Sequence, residues 1–390
     1  MRTPRIPVTA LVAAALMLAA PVISAQETES PPVSHAAFDA AFADYKAFMR
    51  EFEDLRIQFQ TANASEREQL NAKAAELVDQ AKPKVKKMID EALEVYKAAP
   101  GQDPQITELL VSAAAHNLLG NGENGQGGDQ FERALEILQP LLANDEKAEG
   151  LASMGVVAAF CCNRFDLVDE YVALAKERRD DPSKLGEEMA GMVDQYSNPG
   201  MIQEYRQLWE EEEKIRSAEA TANDLPRVKF ETTAGDIVIE LFENEAPTAT
   251  ANMVSLVKKG FYDGIIFHRV LPHFMAQGGD PTGTGSGGPG WSIPCECYEE
   301  DARMHFRGSL SMAHAGRDSG GSQFFLTFVP THHLNGRHTV FGRVVEGMEV
   351  LGELQRIDPG ERGVTPDKIV KATVVRDRGH AYDFKKLPGR

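Results

Sequence analysis

The sequence predicts a multidomain α+β protein, with an all-α N-terminal half built from a long helical hairpin and shorter repeat-like helices, followed by a mostly β C-terminal half. Three observations predict this. The chain has 390 residues, more than one hydrophobic core ordinarily serves. Its charge is lopsided: residues 26–225 carry 39 acidic and 20 basic side chains, net −19, residues 226–390 carry 20 and 19, net −1, and Arg2 and Arg5 supply +2. The hydrophobic period changes from that of a helix to that of a strand at Pro226. With 42% hydrophobic and 26% charged residues, the composition is that of folded cores, not of a membrane or disordered chain. The total charge of −18 opposes a phosphate-neutralising surface, so no nucleic-acid partner is expected.

Residues 1–25 have a secretory layout: Arg2 and Arg5, an apolar run over 8–20, Pro21, and the small residues Ser24 and Ala25. The run is short for a membrane span. The mature chain is expected to be exported, periplasmic or secreted, with cleavage after Ala25. A membrane association enters only if the segment stays uncleaved as an anchor.

Residues 26–103 read as a long helical hairpin. Phe38, Phe42, Tyr45, Phe48, Phe52, Leu55 and Phe59 recur at steps of three and four, one apolar stripe on a helix. Ser65 and Glu68 form a capping-box pattern for a second helix, and Leu70, Leu77, Ala81, Val85, Met88, Ile89 and Tyr96 continue the stripe. Pro83 falls inside it and is expected to kink it. Residues 104–201 read as shorter helices over 106–119, 131–142, 147–161 and 165–178, with a glycine-rich loop at 120–128. Setting Phe131 against Phe165 gives an offset of 34 residues, and Ile137 then falls on Tyr171 and Leu138 on Val172. The segment resembles degenerate tetratricopeptide repeats, which stack into surfaces that hold partner proteins; a plain helical bundle is the alternative. Residues 202–225, with Glu210 to Glu213 in a row, read as a charged, solvated helix or linker holding the domain boundary.

Beyond Pro226, Val228, Phe230 and Thr232 alternate, as do Ile237, Ile239 and Leu241 after the turn at Ala234-Gly235-Asp236, which is a hairpin signal. Pro247 opens a short helix. Gly283, Gly285 and Gly288 satisfy a dinucleotide-binding spacing, but prolines follow where a helix would have to start, so that reading falls. Asp318-Ser319-Gly320-Gly321 lacks the His and Asp order of a serine protease. Seven of the ten histidines lie between His268 and His338, without metal-ligand spacing, and read as packing, peptide contacts or surface. The four cysteines, Cys161, Cys162, Cys295 and Cys297, read as loop or buried thiols, and no metal site is assigned.

One reading unites these glycines and histidines. Phe267-His268-Arg269, Phe274-Met275-Ala276-Gln277-Gly278-Gly279-Asp280, Leu310-Ser311-Met312-Ala313, Gly321-Ser322-Gln323-Phe324-Phe325 and the stretch from Leu334 to Gly342 closely resemble the cyclophilin family, in its order and spacing. The resemblance covers about residues 227–377 and places an isomerase domain at 226–378, with a polar tail at 379–390. It implies a closed antiparallel β-barrel of eight strands with two helices. The implied activity is cis/trans isomerisation of peptide bonds preceding proline, on proline-containing peptides and unfolded or partner proteins. No cofactor is implied, because no bond is made or broken.

The residues suit that task. The barrier of roughly 18–20 kcal/mol comes from amide conjugation, which vanishes at a quarter turn. The proline nitrogen then regains a lone pair, and Arg269 is suited to donate a hydrogen bond to it. A donor that acts mainly in the transition state raises the rate. By resemblance, Phe274, Met275, Phe325 and Leu334 line the proline pocket with His338 at its edge. Gln277 holds substrate backbone and orients Arg269, and Ala313 and His314 border the groove for an extended peptide.

Two positions depart from the family pattern. His333 stands where many eukaryotic members have tryptophan, which puts strong cyclosporin binding in doubt, and His314 stands where asparagine is usual. The expected function is an exported peptidyl-prolyl isomerase that assists folding, its helical half binding clients. The runner-up is a non-catalytic peptide-binding or chaperone scaffold on the same fold.

Overall fold

The computed structural model describes residues 35–121, 125–144, 146–361 and 363–389; the signal reading at 1–25 lies outside them. Helix α1 (Ala36–Thr61) and helix α2 (Ala64–Ala98) pair along the aromatic stripe, burying Tyr45, Phe48, Phe52 and Leu55. The cap of α2 is Asn63, not Ser65. Its extended backbone lets the side chain accept from the Ser65 and Glu66 amides, while the Glu66 carboxylate accepts from the Asn63 amide. Both spacings fit the sequence pattern, but only Asn63 has the extended conformation that ends one helix and opens the next. The helix runs on through Pro83 without a break.

Helix α3 (Pro104–Leu119), α4 (Phe131–Ala143), α5 (Leu151–Cys161), α6 (Phe165–Arg178), α7 (Glu187–Tyr196) and α8 (Pro199–Ala222) complete the helical half. Every residue of α5 is buried, as its all-round apolar sequence requires, and α3, α4, α6 and α7 pack against it. It begins four residues later than its periodicity predicts, because Gly150 takes φ 73° and resets the chain.

The C-terminal half has strands β1 (Arg227–Thr232), β2 (Gly235–Leu241), β3 (Arg269–Leu271), β4 (Met275–Gly278), β5 (Trp291–Ser292), β6 (Ser309–Met312), β7 (Phe324–Thr327), β8 (Val340–Glu346), β9 (Ile369–Arg376) and β10 (Leu387–Pro388), with helices α9 (Pro247–Lys258) and α10 (Met348–Glu353). Eight strands form one antiparallel sheet in the order β3-β4-β7-β6-β8-β2-β1-β9. The closed barrel expected from the resemblance is corrected here. The sheet curls, but its edges meet only beside β3, through the Ile266–Lys368 bridge and backbone bonds such as Phe267 to Asp367, and not through a ladder of β3 with β9. Alternation sorts its two faces. Val270, Ala276, Leu310, Phe324 and Leu326 fill the inner core, and the residues between them face the other way. Part of the segment read as a polar tail is structured, since β10 pairs with β5 and Tyr382 and Phe384 pack on the barrel core.

The halves share a buried boundary. Phe306 and Val329 belong to the core of the helical half, where Phe306 meets Tyr205 and Trp209 edge-on at 5.9 and 5.1 Å. Buried arginines of the C-terminal half pair with carboxylates of the helical half: Arg303 with Glu212 and Glu219, Arg307 with Glu132, and Arg356 with Asp129. The segment read as solvated thus buries two of its glutamates, Glu212 and Glu219, in ion pairs. The glycine-rich loop before α4 is a docking loop, whose Gln126 side chain donates to the Glu353 carbonyl and accepts from the Arg356 amide.

Candidate active site

A single row crosses four strands. Arg269 of β3 lies opposite Gln277 of β4, Gln277 opposite Phe325 of β7, and Phe325 opposite Ser311 of β6. Directly opposed residues share a face, so these four side chains stand together on the face turned away from the barrel core. Met275, two residues before Gln277, is on the same face and 2% exposed. Phe274 lies just before β4, with the Arg269 guanidinium 6.0 Å from its ring centre.

The rest of the constellation comes from two loops. The turn after β7 brings up His333 and Leu334. The His333 ring stacks on Phe274 with centroids 5.7 Å apart, and desolvation, reinforced by His332 and Arg337, holds its pKa below the ordinary value. The segment before β8 brings up His338, which meets Phe325 edge-on at 5.5 Å. His338 Nδ1 donates to the Met312 carbonyl at 2.9 Å, leaving Nε2 the lone pair of the neutral ring. Burial lowers its pKa, so the ring is neutral at pH 7. His314 stacks on His338 at 4.2 Å and donates from Nε2 to the Arg337 carbonyl. Ala313 lies beside it, its amide bonded to the Gln323 carbonyl.

Of the residues predicted for the site, Arg269, Met275, Gln277 and Phe325 share one face of the sheet, Phe274 and His333 stack beside Arg269, and His338 and His314 stack in turn from Phe325, while Ala313 and Leu334 are their chain neighbours. One expected relationship is absent. The Gln277 amide donates to the Gln323 side-chain oxygen at 3.0 Å, and no bond to Arg269 orients the guanidinium. Gln323 in turn donates to the Gly285 and Gly287 carbonyls and so ties Gln277 to the glycine-rich loop. That loop is wound about Asp280, whose carboxylate accepts from the amides of Thr282, Thr284, Gly285 and Gly287. These bonds overcome the cost of its burial and hold its pKa at about 2.

Sequence reasoning gave His305 no part in the peptide site. Fully buried, it lies flat against Phe325 with ring centres 5.9 Å apart and planes at 2°, its Nε2 2.9 Å from the Ser311 hydroxyl. Desolvation presses its pKa down to about 4. It forms the floor under the pocket aromatic, and its neighbour Phe306 enters the helical core. No period or motif marks it, because the segment before β6 is irregular.

The arrangement sets the apolar side chains of Phe274, Met275 and Phe325 beside the Arg269 guanidinium, which pairs with no carboxylate among the described residues. It can hold a small apolar ring and direct N–H donors at an atom next to it. Among the described residues, no group of three or more His, Cys, Asp or Glu is arranged to hold a metal ion.

Residues 227–374 match the family described as cyclophilin type peptidyl-prolyl cis-trans isomerase/CLD. The chain is 51% identical over 150 residues to a peptidyl-prolyl cis-trans isomerase of Helicobacter pylori (strain ATCC 700392 / 26695), covering 38% of this chain and 86% of that one. It is 56% identical over 122 residues to peptidyl-prolyl cis-trans isomerase B of Bacillus subtilis (strain 168), covering 31% and 85%. A crystal structure of a cyclophilin type peptidyl-prolyl cis-trans isomerase from Cryptosporidium parvum is similar at 34% identity and a TM-score of 0.36, covering 39% of this chain and 99% of that one.

Proposed function

The chain belongs to the cyclophilin-type peptidyl-prolyl cis-trans isomerases, and on that premise we propose that Arg269 and the cup beside it twist X-Pro bonds of exported proteins while the helical half engages the client. The carrying observation is the row Arg269-Gln277-Phe325, which sets a cationic donor beside an apolar cup on one face. The proline ring enters the cup of Phe274, Met275, Phe325 and Leu334, with His338 and His333 at its rim. Gln277, held by Gln323, takes substrate backbone, and the peptide runs past Ala313 and His314. As the bond turns, the proline nitrogen becomes pyramidal and accepts from Arg269. A thousandfold acceleration requires about 4 kcal/mol. One charge-assisted bond supplies about 1.5–3 of that. Positioning in the desolvated cup supplies the remainder.

Export rests on the Arg2 to Ala25 pattern, and N-terminal sequencing of the mature protein tests it; a chain that begins at Met1 in the cytoplasm removes the proposal. Client engagement rests on the second, acidic helical body and its 34-residue offset. A second contact raises the effective concentration of the bond at the site. The full chain should therefore show a KM for a proline-limited unfolded protein well below its KM for an Ala-Pro tetrapeptide. Equal values on both substrates would remove client recruitment while leaving the isomerase intact.

A further inference from the structure

The turn between β3 and β4 carries the candidate catalytic hairpin: Arg269 precedes it, and Phe274, Met275 and Gln277 follow it. Its residues Pro272 and His273 lie against the helical half. His273 takes φ +52°, a left-handed conformation costly for a residue with a β-carbon. Asp129, at the start of α4, takes φ +62° and is fully buried. These two strained residues bond to each other. The Asp129 carboxylate accepts from the His273 backbone amide at 3.2 Å and from its ring Nδ1 at 2.9 Å. Backbone strain of this kind persists only where the surroundings over-determine it.

The surroundings do. The second Asp129 oxygen accepts from Arg356 at 2.7 Å, and Arg356 also donates to the Gly128 carbonyl. At Gly125 of the same loop, a β-carbon would come within 2.8 Å of Pro272, so this loop meets the hairpin turn at backbone distance. The groups facing His273 are Asp129 from the start of α4, Glu188 from α7 with its oxygen 3.4 Å from Nε2, and the Arg356 guanidinium, while Arg307, Cys161 and Tyr196 face Asp129 from behind. Burial opposes the charge on each partner, but the pairing wins: the His273 pKa is raised and that of Asp129 is lowered.

We propose that Asp129 and His273 are a positioning pair for the isomerase, through which the helical half fixes the β3–β4 turn and so the placement of Phe274 and Arg269. The helical half is then part of the active-site framework as well as a client-binding body. The inference rests on the isomerase reading of the same hairpin. Small displacements of a catalytic group are costly in rate. The ionised bond is fully formed below the His273 pKa and loses its charge assistance as pH rises through it. Activity should therefore fall as pH rises through the raised His273 pKa, opposite to any acid limb from His338.

The test uses the full chain and an Ala-Pro tetrapeptide between pH 6 and 9, together with the Met275 methyl NMR signal. His273→Asn tolerates the left-handed backbone and keeps the amide bond but not the titrating ring. It should fold, lose roughly three- to tenfold in kcat/KM at pH 7, and lose the alkaline limb. Asp129→Asn should do the same where it folds. The Met275 methyl should shift with pH in the native chain and stay fixed in His273→Asn. Lys82→Ala, which cuts the exposed Lys82–Glu353 pair elsewhere on the boundary, should stay within about twofold. A folded His273→Asn with native rate, native pH profile and native methyl titration overturns the inference. A native chain with no turnover would instead overturn the isomerase reading, and the methyl titration would still decide the positioning role.

Discussion

Arg303 and Glu219 are joined across the two halves by a 2.6 Å hydrogen bond, with side chains only 2% and 5% exposed. The other Glu219 oxygen takes Arg343 at 2.6 Å, and Arg303 also forks onto Glu212. Helix α8 is thus bound to the β half by buried charge as well as by the chain itself.

Removing one member of a buried pair leaves the other uncompensated, at a cost of about 3–5 kcal/mol. Glu219→Ala should lower the unfolding free energy in urea by roughly 3 kcal/mol. The exposed pair Lys184–Glu149 should cost less than about 1 kcal/mol when cut. Equal small losses for both would show that the boundary contributes little. The same boundary bears on a chain starting near Ala222: it would bare Phe306 and Val329 and strip Arg303, Arg307 and Arg356 of their partners in the helical half, Glu212, Glu219, Glu132 and Asp129.

His305 predicts an acid weakness. Its folded pKa is about 4, whereas an unfolded histidine titrates near 6.5, so the unfolded chain binds the proton first. Stability present above pH 6.5 is therefore lost as pH falls towards 4 and levels off below it. For a buried ring this is worth about 3 kcal/mol. Urea unfolding of His305→Gln should show an acid-side loss smaller by about that amount than the native chain; superimposable profiles would contradict it.

His333 predicts weak cyclosporin binding. Its ring stacks on Phe274, and by the resemblance it stands where many eukaryotic members have tryptophan, a larger aromatic that contributes considerable buried area. His333→Trp should tighten binding by calorimetry, roughly tenfold for 1.4 kcal/mol. Native binding as tight as that of the tryptophan variant would show that this position does not govern the drug site.

What was legible in the sequence was local. The change of period at Pro226 marks the start of β1 at Arg227, and the steps from Tyr45 to Leu55 mark a buried helix face. The family blocks also pointed to Arg269, Met275, Gln277 and Phe325, which fall on one face because alternation along paired strands turns spacing into a shared side. What could not be read was pairing across distance. Asp129 meets Arg356 over 227 positions and Glu132 meets Arg307 over 175, and nothing near either partner signals the other. His273 looked like any loop histidine, and Glu212 and Glu219 like a solvated acidic face, since a buried charge has the same letters as an exposed one. Only the fold supplies the partner.

The central claim is that Arg269 acts on the twisted bond, and its most direct test is kcat/KM of Arg269→Ala on an Ala-Pro tetrapeptide, with Arg269→Lys beside it. The account predicts a loss of at least about tenfold for Arg269→Ala, near 1.4 kcal/mol of transition-state binding, with an unchanged unfolding curve. Arg269→Lys should recover only part, because a point charge replaces a fixed planar donor. Native turnover in a folded Arg269→Ala would contradict the mechanism outright.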